Sequence, residues 1–224
     1  MHIEPGIVTG AKFALSYATA AGAATYSLKL AVDTLRLSAV PMMALRSVIA
    51  TALVFNFFQV LPHFSVGISE VHFILGSTLF LTLGALPAAT GLALGLLAQG
   101  LFFAPTDLPQ YAMNVTTLLV PLFAMAALAK RIIAPDTAYS DLKYGQAFAL
   151  STAYQGGVVA WVAFWAFYGQ GFGAANVASV LTSGGAYMMA VLLEPLADLA
   201  VLGMAKSLRG VTGSGIFASR VYKA

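Results

Sequence analysis

No cysteine occurs among the 224 residues, so disulfides, thiolate metal sites and cysteine nucleophiles are excluded together. Charge is scarce as well. Asp, Glu, Lys and Arg make up 8% of the chain, against 60% hydrophobic residues and a mean hydropathy of +0.87. A water-facing surface carries about a quarter charged residues, and hydrocarbon penalises them, so this is the composition of an integral membrane protein. The phosphate loop GxxxxGK[ST] is missing, as are HExxH and GxSxG. The chain is not its own ATPase, and no enzyme activity is expected of it. The formal charge of +3 forms no nucleic-acid motif, so no nucleic-acid partner is expected. The start Met1-His2-Ile3-Glu4-Pro5 has no basic region and no small-residue cleavage site after a short apolar core. The N-terminus is therefore expected to persist, and the size of His2 predicts that Met1 keeps a free amine.

What is present is a series of apolar runs, each near the ~20 residues that cross a bilayer. The first, about 12 to 32, is rich in Ala, Gly, Ser and Thr, which favours close helix contact in lipid. The second, 41 to 61, begins at Pro41 and carries Arg46 near enough to its end to snorkel. A polar stretch, 62 to 71, follows. The run from His72 to Ala104 is too long for one span and is punctuated by Gly84-Ala85-Leu86-Pro87, so it divides into a short third helix and a fourth. Helix five occupies about 111 to 128, helix six 145 to 168, and helix seven 176 to 205 with Glu194-Pro195 and Asp198 inside it. Trp161, Trp165 and Tyr168 suit an interfacial belt.

The basic residues test this count. Lys29, Arg36 and Arg46 flank the first connection, Lys130, Arg131 and Lys143 the fifth, and Lys206, Arg209, Arg220 and Lys223 the tail. With seven spans these all fall on one side, which the positive-inside rule makes cytoplasmic. The expected fold is thus an all-α polytopic membrane protein of about seven transmembrane helices, N-terminus exterior and C-terminus cytoplasmic. It forms a single transmembrane domain over 1–224, with an N-terminal segment 1–11 and a basic tail 206–224.

That topology gathers every histidine of the chain, His2, His63 and His72, at the outer mouth with Glu4, Glu70 and Asp107. Without thiolates, a transition-metal ion takes imidazole nitrogen and hard oxygen. The Met1 amine, the His2 backbone nitrogen and the His2 imidazole can fill three corners of a square plane, a geometry suited to Ni(II), Cu(II) or low-spin Co(II). The same dipeptide also arises by chance at a start, and loops of any membrane protein collect its polar residues. For His63 the incidental reading is the stronger. Around His72, Ser69 is placed to cap the third helix with Glu70 in its first turn. Glu194 either lies within the membrane with a partner or cavity, or sits near the cytoplasmic end beside Lys206 or Arg209. Asn56, Gln59, Gln99 and Asn114 can brace a metal site or simply bond between helices.

Three stretches carry a resemblance. MHIEPG resembles the MHI-x-x-G opening of the CbiM/NikM family, the substrate-binding membrane subunits of energy-coupling-factor ABC transporters for cobalt and nickel. FNFFQVLPHFSVGISEVHFILGS looks like that family's NFP-x(n)-GGTSGHLLGG region, and QGLFFAPTDLPQYAMN resembles its Q-x-L-x-F-G-D-G-G…N-x-x-N-M region. Helices six and seven match mainly by position, with Glu194 at the family's late acidic site. The resemblance implies an N-terminus inserted into the bundle and a metal held by Met1, by the amide and imidazole of His2, and by His72. It assigns Asn56, Gln99 and Asn114 to supporting positions. The family's Gly-Gly-Thr-Ser-Gly-His is here Val-Gly-Ile-Ser-Glu-Val-His, which places Glu70 beside the ligand, and its Asp-Gly-Gly is Asp107-Leu108-Pro109.

The expected function is therefore capture of Co(II) or Ni(II) as transported substrate in a bacterial cytoplasmic (inner) membrane. A second transmembrane coupling subunit and cytoplasmic ATPase subunits are the partners that the resemblance implies, together with membrane lipid. The alternatives are a stand-alone divalent metal permease, which needs acids or histidines continuing through mid-membrane, and a non-transporting assembly or scaffold protein.

Overall fold

A computed structural model describes residues 3–35, 40–207 and 215–222. Met1 and His2 lie outside the described residues, as do Arg36, Arg209 and Lys223. The architecture is helical, in the order α1 (Phe13–Leu35), α2 (Val40–Gln59), β1 (Phe64–Val66), β2 (Ser69–Val71), α3 (Gly76–Leu83), α4 (Ala85–Phe102), α5 (Tyr111–Ile132), α6 (Tyr144–Gln170), α7 (Ala174–Met188) and α8 (Glu194–Ser207). A 3-10 turn, Met189–Leu192, joins the last two.

Five helical segments among the described residues are long and apolar enough to cross a membrane: Val40–Gln59, Ala85–Phe102, Pro105–Ile132, Tyr144–Gln170 and Ala174–Ser207. The chain is thus a multi-pass all-α membrane protein. Large apolar side chains on its outside, among them Leu28, Val48, Phe102, Phe172 and Leu181, face outward, as lipid contact requires. α1 has the length to cross at 23 residues but carries Ser, Thr, Tyr and Lys along it. α3 has only 8 residues, about 12 Å at the helical rise, too short to cross alone.

All eight residues of α3 are buried. Gly84, at φ +98°, ends α3 and turns the chain into α4; a side chain would strain that conformation. A broken helix is tolerated at membrane depth only when its free backbone groups are enclosed by protein. Here the neighbours supply the partners: the Ser77 N–H donates to Glu194 Oε1 at 3.3 Å and the Ala218 N–H to the Thr82 carbonyl at 2.7 Å.

α2 and α4 lie in closest contact, through Gly91 and Gly95. A Cβ on Gly95 would come within 2.6 Å of Val54 Cγ1, and one on Gly91 would collide with Ala50. In lipid, small residues four apart let helix backbones approach this closely. α5 is central, with Met113, Asn114, Thr116, Thr117, Leu118 and Leu122 all buried.

Several local expectations need correction. Trp165 is fully buried and is no belt residue; its ring packs in the core beside Trp161 and Tyr168. Arg46 does not snorkel to headgroups: its guanidinium donates to the Gly215 carbonyl at 2.7 and 2.8 Å and to the Phe217 carbonyl at 2.6 Å. The described part of the tail, 215–222, is thereby held against the bundle, with Val221 buried. Burial raises the Tyr139 phenol's pKa, while the Arg220 guanidinium over its ring pulls it back.

Candidate metal centre

The polar stretch 62–71 is a β-hairpin. β1 and β2 pair antiparallel with Phe64 opposite Val71, Ser65 opposite Glu70 and Val66 opposite Ser69. Gly67 has φ +65° and Ile68 has no positive φ, the pattern of a two-residue type II′ turn. The tip is wedged on α7: the Ile68 N–H donates to Ser183 Oγ at 3.0 Å, and the Ser183 hydroxyl donates to the Val66 carbonyl. Ser69 and Glu70 therefore belong to β2 and not to the start of a helix. No side chain caps α3 locally, because the hairpin consumes the residues that were placed to do so.

The N-terminal segment joins this hairpin through an isolated bridge. Ile3 forms an antiparallel bridge with Ser69, and the Glu4 N–H donates to the Ile68 carbonyl at 3.2 Å. The buried Ile3 N–H donates to Asn114 Oδ1 on α5 at 2.8 Å. Ile3, Ile7 and Val8 are buried in the main apolar core. Lys12 then seals the far side, its Nζ donating to the Tyr168 and Gly169 carbonyls at 2.9 and 2.8 Å, the free acceptors at the end of α6. The segment thus enters the bundle and is fixed there at both ends.

His72 follows β2 and is fully buried. Its Nε2 lies 3.0 Å from Glu70 Oε2. One face of its ring stacks on His63, with centroids 5.0 Å apart at 18°, and Phe58 meets it edge-on at 5.1 Å. The ring nitrogen that Glu70 does not engage, Nδ1, is also buried. A carboxylate on one imidazole nitrogen fixes the tautomer and raises the basicity of the other, which is the arrangement a metal-ligating histidine uses.

The remaining candidates separate into two groups. Asn114 and Gln99 come together, lining one small cavity of about 10 Å³ with Asp107 and Tyr111. That is about room for one water. Gln99 is buried, and its Oε1 finds no hydrogen-bond partner among the described residues. Asn56 is not brought to this cluster: it is exposed, donates to the Ala52 carbonyl of its own helix at 2.7 Å, and lines an outer groove with Val48, Phe55 and Leu94. No cluster of three or more His, Asp or Glu residues arranged for a metal occurs among the described residues.

Sequence reasoning left Glu194 with two readings; the structure gives it buried partners other than Lys206, and Arg209 lies outside the described residues. Glu194 is fully buried and accepts hydrogen bonds from Ser77, Ser151 and Gln155. Lys206 instead pairs with Asp141 at 2.5 Å. The burial of Asp198 and the stacking of His63 were missed: Asp198 meets Ser77 and Thr78 across 121 and 120 residues of chain, and His63 meets His72 only because the hairpin folds back between them.

In comparison with known proteins, residues 2–210 match the family described as the cobalt uptake substrate-specific transmembrane region, CbiM. No curated protein and no solved structure matches the chain.

Proposed function

We propose a function from one premise: the chain belongs to the family of cobalt uptake substrate-specific transmembrane regions, a transport-component family whose members work with other subunits. Within it, this chain is the substrate-capture subunit of an energy-coupling-factor transporter, taking Co(II) or Ni(II) from the outer side of a bacterial cytoplasmic membrane. A second transmembrane subunit and cytoplasmic ATPases supply the coupling. In this reading the N-terminus is exterior.

The ligands in this reading are the Met1 amine, the His2 amide and imidazole, and His72. The observation that carries it is the double anchorage of Ile3, the residue next to His2 in the chain: its N–H is held by Asn114 and its backbone bridges to Ser69, three residues from His72. An amine, a deprotonated amide and two imidazoles form a four-nitrogen plane, which selects Ni(II) or low-spin Co(II) over Mg(II) and Ca(II). Glu70 accepts from His72 Nε2–H and turns Nδ1 to the metal. Asn114 acts on the N-terminal segment and Gln99 on the adjoining cavity. The ion leaves when ATP-driven coupling tilts or opens the bundle.

A stand-alone permease would need ionisable groups strung through the membrane. The described interior offers Glu194 and Asp198, both enclosed by hydroxyl and amide donors. The test is one residue added before Met1, which removes the amine from chelating distance. Co(II) or Ni(II) binding by the purified chain should be lost, and the protein should remain folded; unchanged binding would sink the reading.

A further inference from the structure

Behind the hairpin, a second polar centre is buried where α8 meets the first turn of α3. Glu194 and Asp198 are both fully buried, one helical turn apart on α8. Ser77 Oγ lies 2.9 Å from Glu194 Oε1 and 2.8 Å from Asp198 Oδ2. Thr78 Oγ1 donates to Asp198 Oδ1. Ser151 Oγ and Gln155 Nε2 donate to Glu194 Oε2 at 2.6 and 2.5 Å. No cation pairs with either carboxyl group among the described residues.

A serine hydroxyl carries one hydrogen. Ser77 can therefore donate to only one of the two carboxyl groups it touches. The other contact is attractive only if that carboxyl is itself the donor. Four donors converge on Glu194: the Ser77 N–H and hydroxyl, Ser151 and Gln155. That fills the four acceptor positions of an ionised carboxylate. Asp198 receives one donor, Thr78, and has its second oxygen against Ser77 Oγ.

We propose that Glu194 and Asp198 form a proton-binding site within the membrane that holds one proton, carried on Asp198 Oδ2 and donated to Ser77 Oγ, which in turn donates to an ionised Glu194. Two further groups make this a built site. The Tyr154 and Tyr187 hydroxyls are fully buried within electrostatic range of Glu194, and neither finds a hydrogen-bond partner among the described residues. The Tyr154 ring lies directly against Gly76, where any Cβ would collide with it, so the phenol is held at the mouth of α3. The groups facing the pair are Ser77 and Thr78 from α3, Ser151, Tyr154 and Gln155 from α6, and Tyr187 from α7; Lys206 and Asp141 neutralise each other farther along α8. Without the proton, two like charges would face one hydroxyl in a low-dielectric interior, and the attachment of α8 to α3 would be lost. The proton is thus what joins α8 to the helix that follows His72.

The full-length protein in lipid nanodiscs tests this by infrared spectroscopy at neutral pH. The wild type should show the carbonyl stretch of one protonated carboxyl group, slow to shift in heavy water because the site is buried. Asp198→Asn supplies an N–H in place of the acid O–H, so the band should vanish while the melting temperature is kept. Glu194→Gln, which sets an amide NH2 against two of the four donors, should melt earlier. Absence of the band in wild type, its persistence in Asp198→Asn, or its loss on adding Na⁺ would each overturn the proposal, the last by showing a metal-cation site.

Discussion

The backbone N–H of Ile3 and the side-chain oxygen of Asn114 are 2.8 Å apart across 111 residues of sequence. This bond joins the start of the chain to the central helix in a buried setting. Asn114 thus holds the peptide that follows His2, and in the proposed site it would support the metal through the backbone.

Asn114→Leu should therefore weaken Co(II) or Ni(II) binding without touching a ligand. Leaving a buried N–H unpaired costs about 1–3 kcal/mol, and about 1.4 kcal/mol is tenfold in affinity. Isothermal titration of the purified protein should show a loss of roughly tenfold or more. Wild-type affinity would show that the segment is held by its apolar contacts alone.

Glu70→Gln keeps the volume beside His72 and removes the carboxylate that engages Nε2. Loss of such a partner typically lowers metal affinity about 10–100-fold. His72→Ala should lower it further, and the double variant should bind no more weakly than His72→Ala, because Glu70 acts through the ring. Additive losses would instead make Glu70 a ligand in its own right.

Gly67→Ala combines two penalties. A residue with a Cβ pays about 1–2 kcal/mol in the left-handed region, and here that Cβ would lie 2.6 Å from the Ser179 carbonyl oxygen and 2.7 Å from Ser183 Oγ. The hairpin must lift from α7. A lower melting temperature together with weaker metal binding is expected; an unchanged melting temperature would mean that the hairpin is not seated on α7.

Gly95→Val tests the helix contact that has no role in the metal reading. Its side chain would force α2 and α4 apart at Val54, so folded yield in detergent should fall sharply, while the fraction that folds should bind metal with wild-type affinity. Normal yield would contradict close α2–α4 contact.

Much of the fold was legible because hydrocarbon is a simple solvent. Runs of apolar residues at bilayer length, with Gly84 and Pro87 breaking the longest, located α2 to α6 within a few residues, since each helix satisfies its own backbone. The hairpin was not legible: Phe64 to Val71 is short, and its strands are defined by Ser183 on α7 and by Ile3. Asn114 and Asn56 look equivalent in sequence, both amides on apolar helices, yet one is buried against Ile3 and the other bonds its own helix on the outside. Helix rotation made that difference, and rotation is set by neighbours such as Gly91 and Gly95.

The sequence by itself determined that this chain lies in a membrane and that any metal it holds does without thiolate, because composition suffices for both; that His2, His72 and Glu70 are the residues to watch is what the resemblance to the family implies. Only the tertiary structure decided that the N-terminal segment pairs with the hairpin before α3, that Glu70 engages His72, and that Glu194 and Asp198 share Ser77. Those contacts join residues far apart in the chain, and their geometry exists only once the helices have been brought together.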